Sequence, residues 1–180
     1  MRAEAAWKIR RAVRSDAPAL SALARWVWLQ TYALDGLRDS FIRYLDDSFS
    51  EARLHALIAD PAQPMWLLHE GNHLLAWAHV ELGAAWAGSG LAVGGAQAEL
   101  QRLYVAPTRS GEGFGARLLQ HVREALPAHA VWLRAWAGNE GALRFYRREG
   151  AQQLGETWFE LEQERHRNEV LGWPAWEGAQ

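Results

Sequence analysis

The sequence predicts an α+β domain built on a mixed sheet, and three observations carry that expectation. Its 180 residues suit one domain, 1–180, able to bury roughly 70% of the surface its unfolded chain exposes. Hydrophobic residues make up 49% of the chain and charged residues 22%, so a packed core is expected and a disordered chain is excluded. Apolar runs of strand length and helical patterns follow in the order β, α, α, β, β, β, α, β, α, β, in which strands joined by helices run parallel and hairpins antiparallel.

Trp7 to Val13 alternates as a short strand, and Ser15-Asp16-Ala17-Pro18 caps a helix that runs to about Gln30. Asp35-Gly36 breaks the pattern. Ser40 to Asp60 then reads as two helical pieces, the second capped by Ser50 and stopped by Asp60-Pro61. Met65–His69 and His73–Leu82 are apolar runs on either side of the turn Glu70-Gly71-Asn72, which predicts a hairpin. Residues 83–97, with five glycines and no periodicity, predict an exposed loop. Glu99–Val105 predicts a strand, Gly111–Gly115 a glycine turn, and Phe114–Leu126 a helix whose stripe is Leu118, Leu119, Val122 and Leu126. Val131–Ala137 predicts a strand, Asn139 caps a helix over Glu140–Glu149 closed by Gly150, and Thr157–Leu161 is the last apolar strand before a polar stretch.

Composition excludes several chemistries. Net charge is −2, and Lys8 is the only lysine beside 18 arginines that form no tract, so no nucleic-acid partner is expected. Zero cysteines remove disulfides, thiolate metal sites and a cysteine nucleophile. Met1–Arg14 holds no apolar stretch of signal-peptide length, and no run of about 18 apolar residues exists. No membrane contact and a cytoplasmic location are expected.

Ser110-Gly111-Glu112-Gly113-Phe114-Gly115 puts three glycines where a strand feeds a helix. Uncovered amides at a helix N-terminus favour an anion such as pyrophosphate, with Arg109 beside them, although glycines also serve tight turns for backbone reasons alone. Neither the P-loop nor the dinucleotide fingerprint is satisfied. His69-Glu70-Gly71-Asn72-His73 spells the zinc metalloprotease signature, yet Gly71-Asn72 is poor helix interior and the segment lies in the hairpin. No metal is expected, and a zinc hydrolase is a distant alternative.

The stretch from Glu99 through the glycine turn to Leu119 resembles the acetyl-CoA motif of the GNAT N-acetyltransferase superfamily, Gln/Arg-x-x-Gly-x-Gly/Ala between a strand and a helix. Trp132 to Gly150 is similar to the superfamily's second motif: a strand, Asn139, and a helix carrying Phe145-Tyr146 and ending in glycine. In phrasing, Trp-Leu-x-x-Trp-x-x-Asn and Ala-x-x-Phe-Tyr resemble the PaiA-like polyamine acetyltransferase branch. Two departures stand out: Ser110 occupies the Gln/Arg position with Arg109 one residue early, and Ala151 replaces an aromatic after Gly150.

The resemblance implies a mostly antiparallel central sheet with flanking helices and a splayed parallel strand pair holding acetyl-CoA. It implies a cofactor site of Leu103, Tyr104, Val105, Arg109, Ser110, Gly111, Gly113, Phe114, Gly115, Ala116, Asn139, Phe145 and Tyr146. Pantetheine would lie along Leu103–Val105, whose amides polarise the thioester carbonyl, and Tyr146 would donate a proton to the departing thiolate. Glu99 matches the family's carboxylate base, with a half-buried position that would raise its pKa; pairing to Arg102 or Arg134 is the structural alternative. His79 and Glu81, on one face by period-two alternation, are substitutes for it.

The expected reaction moves acetyl from acetyl-CoA directly to a primary amine of a small acceptor. A catalytically silent acyl-CoA-binding domain is the alternative from another class, and a homodimer is expected by family analogy only. Asp35, Asp39, Asp46 and Asp47 suggest a cationic, polyamine-like acceptor, unless they are merely solvated. The acceptor wall is assigned to Trp28, Tyr32, Asp35, His79 and Glu81. Of 11 tryptophans, Trp66, Trp77, Trp132, Trp136 and Trp158 are expected to pack in sheet and core. Trp26 and Trp28, two apart on one helix, cannot face one direction. Trp26, Trp28 and Trp86 are further wall candidates, while Trp173 and Trp176 fall in a tail whose burial would need docking or a partner.

Overall fold

The computed structural model describes residues 7–90, 96–161 and 164–175. Its elements in chain order are β1 (Trp7–Arg11), α1 (Ala17–Tyr32), α2 (Asp39–Phe49), α3 (Glu51–Ala59), β2 (Met65–Glu70), β3 (His73–Leu82), β4 (Ala96–Val105), α4 (Phe114–Ala125), β5 (His129–Trp136), α5 (Glu140–Arg148), β6 (Gln152–Leu161) and β7 (Glu164–Trp173). The strands make one seven-stranded sheet in the order β1-β2-β3-β4-β5-β7-β6. β1–β2, β2–β3, β5–β7 and β6–β7 are antiparallel. β4 and β5 are parallel, paired from Ala96↔His129 to Glu99↔Trp132, while β4 runs on to Val105. This is the mixed, mostly antiparallel sheet with flanking helices that the sequence implies.

Two compact units are present: Met1–His79 with Arg102–Gln120, and Val80–Gln101 with His121–Gln180. In the first, α1 buries Leu20, Leu23, Ala24 and Trp28, and α2 buries Phe41, Leu45 and Phe49, on stripes three and four residues apart. Ser50 ends α2 and caps α3, its hydroxyl accepting from the Arg53 amide at 3.3 Å, which satisfies one orphan donor of the first turn. In the second unit, Val131, Leu133, Val170, Leu171 and Trp173 are buried. Asn139 Oδ1 accepts from the Ala142 amide at 3.1 Å and opens α5.

Five sequence expectations need correction. The polar stretch after Leu161 contains a seventh strand, β7, inserted between β5 and β6. Trp173 belongs to it, is 2% exposed, and its indole N–H donates to the Glu149 carbonyl at 2.9 Å, so its burial needs no partner; Trp176 lies outside the described residues. The glycine-rich segment is not a plain exposed loop. Gly83 and Trp86 amides donate to the backbone carbonyl and side-chain oxygen of Gln97 at 3.0 and 2.7 Å, and the Trp132 indole donates to the Ala84 carbonyl at 2.9 Å. Residues 91–95 lie outside the described ones, and β4 begins at Ala96, before the expected Glu99. Trp158, expected in the core, is 52% exposed on the edge strand β6 beneath the Arg165 guanidinium, 4.8 Å from its ring.

Candidate active site

In the first unit, the end of β4 from Arg102 feeds the glycine turn and the turn feeds α4. Gly111 and Gly113 have φ of 86° and 84°, the left-handed region where a side chain is strained, and nothing lies within 4 Å of where their Cβ atoms would stand. The Arg117 amide donates to the Gly113 carbonyl at 3.1 Å. The amides of Phe114, Gly115 and Ala116 precede that bond and belong to the orphan donors of the helix N-terminus. Open space over uncovered amides is what a pyrophosphate needs, so the residues present fit the anion of a CoA thioester. Ser110 is exposed next to them and Phe114 is buried as the anchor of the helix.

Arg109, expected at the phosphate, braces the turn instead. Its guanidinium pairs with Glu70 at 2.9 Å and Glu112 at 2.8 Å and lies over the Phe114 ring at 5.0 Å. The bonds from Glu112 and then Glu70 hold it above its ordinary pKa, and Arg109 in turn holds Glu70 below its own. Glu70 is the carboxylate of the His-Glu-x-x-His match. His69 stands opposite Leu74 and Glu70 opposite His73 across a hairpin, so the two imidazoles do not share a helical face. Among the described residues no group of three or more His, Cys, Asp or Glu is placed to hold a metal.

Leu103, Tyr104 and Val105 are half-buried, and the Tyr104 ring lies 6.3 Å from Phe49 and 6.0 Å from Trp77. On α1, the buried Trp28 ring gathers Tyr32, Phe41 and Tyr44 at 4.9, 5.0 and 5.1 Å. Trp26 points outward, 45% exposed. Asp35, Asp39 and Asp47 are exposed, and Asp46 pairs with Arg25 at 2.9 Å. His79 is 2% exposed, with Nε2 2.7 Å from Gln63 Oε1 and Nδ1 2.9 Å from Arg102 Nη1. Burial first, then the charges of Arg102 and Arg53, push its pKa down to about 3. Arginine only donates, so Nδ1 is the acceptor and Nε2–H the donor. With both nitrogens engaged, the imidazole has no lone pair for an amine proton.

In the second unit, Glu99 is 5% exposed. Its Oε1 accepts from Arg134 Nε at 2.7 Å and its Oε2 from Gln101 Nε2 at 2.9 Å. The same Gln101 amide donates to Glu81 Oε2 at 2.8 Å, so one side chain bridges two carboxylates. The pairing with Arg134 is the structural alternative weighed for Glu99, which is buried rather than half-buried as expected. Tyr146 is buried on α5, its ring 5.1 Å from Phe145 and 6.2 Å from Trp173. Arg147 on the next position pairs with Glu169 of β7. The Asn139 cap engages its side-chain oxygen and leaves its amide hydrogens for other work. Trp86 packs against Trp132 at 5.8 Å.

Sequence reasoning missed Gln101, Gln63, Glu169 and Trp173. Gln101 stands in alternation with Glu99 on β4, a signal that period-two reading offered. Gln63 lies in a turn and Glu169 in an unrecognised strand, and neither carries a local signal.

The model of the acetyltransferase (GNAT) family matches residues 24–151. An uncharacterised N-acetyltransferase from the pepI 3′ region of Lactobacillus delbrueckii subsp. lactis is 23% identical over 167 residues, covering 91% of this chain and 95% of that one. Among solved structures, PaiA N-acetyltransferase from Thermoplasma acidophilum in complex with coenzyme A superposes with a TM-score of 0.69 at 18% identity, over 91% of this chain and 98% of that one. The yncA protein from Salmonella typhimurium, solved with its cofactor acetyl-CoA, gives 0.62 at 18% identity over 97% of each chain. These superpositions carry the fold.

Proposed function

The chain belongs to the GNAT acetyltransferase family and is an N-acetyltransferase, and from that premise we propose that it moves acetyl from acetyl-CoA directly to the primary amine of a small acceptor. The observation that carries the acetyl-CoA reading is the glycine turn. Gly111 and Gly113 adopt left-handed φ with open space above them at the N-terminus of α4, directly after β4. Two of the structural neighbours hold coenzyme A or acetyl-CoA.

When bound, the thioester supplies an activated acetyl group. The amides at Gly113–Ala116 bind the pyrophosphate, with Arg109 holding the turn in shape through Glu70 and Glu112. Leu103–Val105 bind the pantetheine with backbone groups and polarise the thioester carbonyl. Asn139 presents its amide hydrogens from the start of α5. Tyr146 supplies a proton to the thiolate, a role its phenol suits because the reference pKa is about 10. The amine proton leaves through the carboxylate pair that Gln101 bridges, Glu99 and Glu81. Direct transfer fits a chain with no cysteine, and Phe145 flanks Tyr146 to keep its ring in place.

A cationic, polyamine-like acceptor is supported by the exposed Asp35, Asp39 and Asp47, whereas Asp46 is already matched by Arg25. No described helix is long and apolar enough to cross a membrane. A cytoplasmic location belongs to the same proposal. So does a homodimer, which rests on family analogy and is read by size-exclusion chromatography. Purified protein incubated with acetyl-CoA and separate polyamines, amino acids, aminoglycosides and peptides should release free CoA with at least one acceptor class. Release with none would remove the proposal.

A further inference from the structure

Resting on the acetyltransferase reading above, we propose that Arg102 is a seat for a carboxylate on the acceptor, so that the amine acetylated belongs to an amino-carboxylate of the α-amino acid class. Arg102 stands on β4 immediately before Leu103–Val105. A guanidinium carries five N–H donors in a fixed planar fork. Among the described residues, Arg102 Nη1 donates to His79 Nδ1 at 2.9 Å and its central carbon lies 5.2 Å from the Phe49 ring. Arg10, Arg25, Arg109, Arg134 and Arg147 each have a carboxylate partner. Among the described residues Arg102 has no such pair, although it is half-buried. Partial burial of a cation with donors to spare costs free energy that a bidentate carboxylate returns.

The choice of holder sharpens the argument. His79 accepts from Arg102 and donates to Gln63 at 2.7 Å, and Trp77 stacks on it at 6.2 Å. A carboxylate at position 79 would orient the guanidinium and cancel its charge. A neutral imidazole orients it and cancels nothing, so the full positive charge stays available and the fork is held in one place. The exposed Asp35, Asp39 and Asp47 support the rival polyamine-like acceptor, and the test below sets the two acceptor classes against each other.

The test compares amino acids with their own carboxamides, and with polyamines, as acceptors for wild type, Arg102→Gln and Arg102→Lys, with acetyl-CoA KM as the control. Wild type should prefer amino acids to their amides. Arg102→Gln should lower kcat/KM for amino acids about 10- to 100-fold, mainly through KM, the scale expected for hydrogen bonds to a charged group. It should change the amides less than about threefold, and Arg102→Lys should restore part of the loss. An unchanged acetyl-CoA KM shows that the variants fold. Equal losses for acids and amides, a wild-type preference for polyamines or amides, or a raised acetyl-CoA KM would each overturn the assignment while leaving acetyl transfer intact. Failure of wild type to acetylate any amine would instead overturn the acetyltransferase reading, and the assignment with it.

Discussion

His79 shows how one residue's surroundings decide its chemistry. Its folded pKa lies below the ordinary value, down to about 3 from 6.5, chiefly through burial. The unfolded chain therefore binds the proton more readily than the folded one. The sign follows: the stability that neutral His79 contributes is complete above about pH 6.5 and is lost progressively as pH falls toward 3. The facing groups are Arg102 from β4, Arg53 from α3 and Gln63 from the turn before β2. The unfolding free energy from urea titrations should fall between pH 7 and 4 by an amount on the order of a few kcal/mol, and His79→Gln should flatten that limb; an equally steep limb in the variant would place the proton elsewhere. Alternation put His79 on the face of a candidate base, but the two partners that occupy its nitrogens come from distant parts of the chain and left no local trace. Glu99 is the converse case. Its place was legible from the motif, and its tie to Gln101 and Arg134 was not. Glu99→Gln should lower turnover and flatten its rise with pH. If the pH profile survives and Glu81→Gln flattens it instead, the base is Glu81.

At the scale of elements, the glycine turn makes the sharpest demand. Gly113 sits at φ 84° with room for a methyl group, so Gly113→Ala should cost about 1 kcal/mol of stability from backbone strain. Relief of that strain would turn the following amides away from the pyrophosphate, so the acetyl-CoA KM should rise several-fold more than the acceptor KM. Equal rises in both constants would argue against a phosphate role for the turn. Helices and hairpins whose stripes face a core were readable because burial writes periodicity into sequence. β7 escaped for the opposite reason. Its first half, Glu164–Asn168, is polar and mostly exposed on both faces, held to β6 by cross-strand pairs such as Arg165–Glu160 and Arg167–Glu156 rather than by apolar burial. Only Glu169–Trp173 is a buried run, its apolar part too short to read as a strand without knowing that β5 and β6 flank it.

At the scale of the whole molecule, the tryptophans divide by what surrounds them. Trp66, Trp77 and Trp132 are buried in the sheet, Trp173 fills the second unit beside Tyr146, and Trp28 organises the aromatic cluster of α1 and α2. Trp26 and Trp158 face outward. The motif order along the chain, from strand to glycine turn to helix to Asn139 and Tyr146, made the family legible. The polar partners that tune each site residue required coordinates, because hydrogen bonds between distant segments leave no periodic signal. The central claim is acetyl transfer from acetyl-CoA to an amine with Tyr146 as proton donor. The most direct measurement is mass-spectrometric detection of N-acetylated amine alongside CoA release, for wild type and Tyr146→Phe. The predicted result is equal rates of product and CoA in wild type, with a turnover about 10- to 100-fold lower in Tyr146→Phe at an unchanged acetyl-CoA KM. Binding of acetyl-CoA without release of CoA to any amine, or full turnover in Tyr146→Phe, would contradict it.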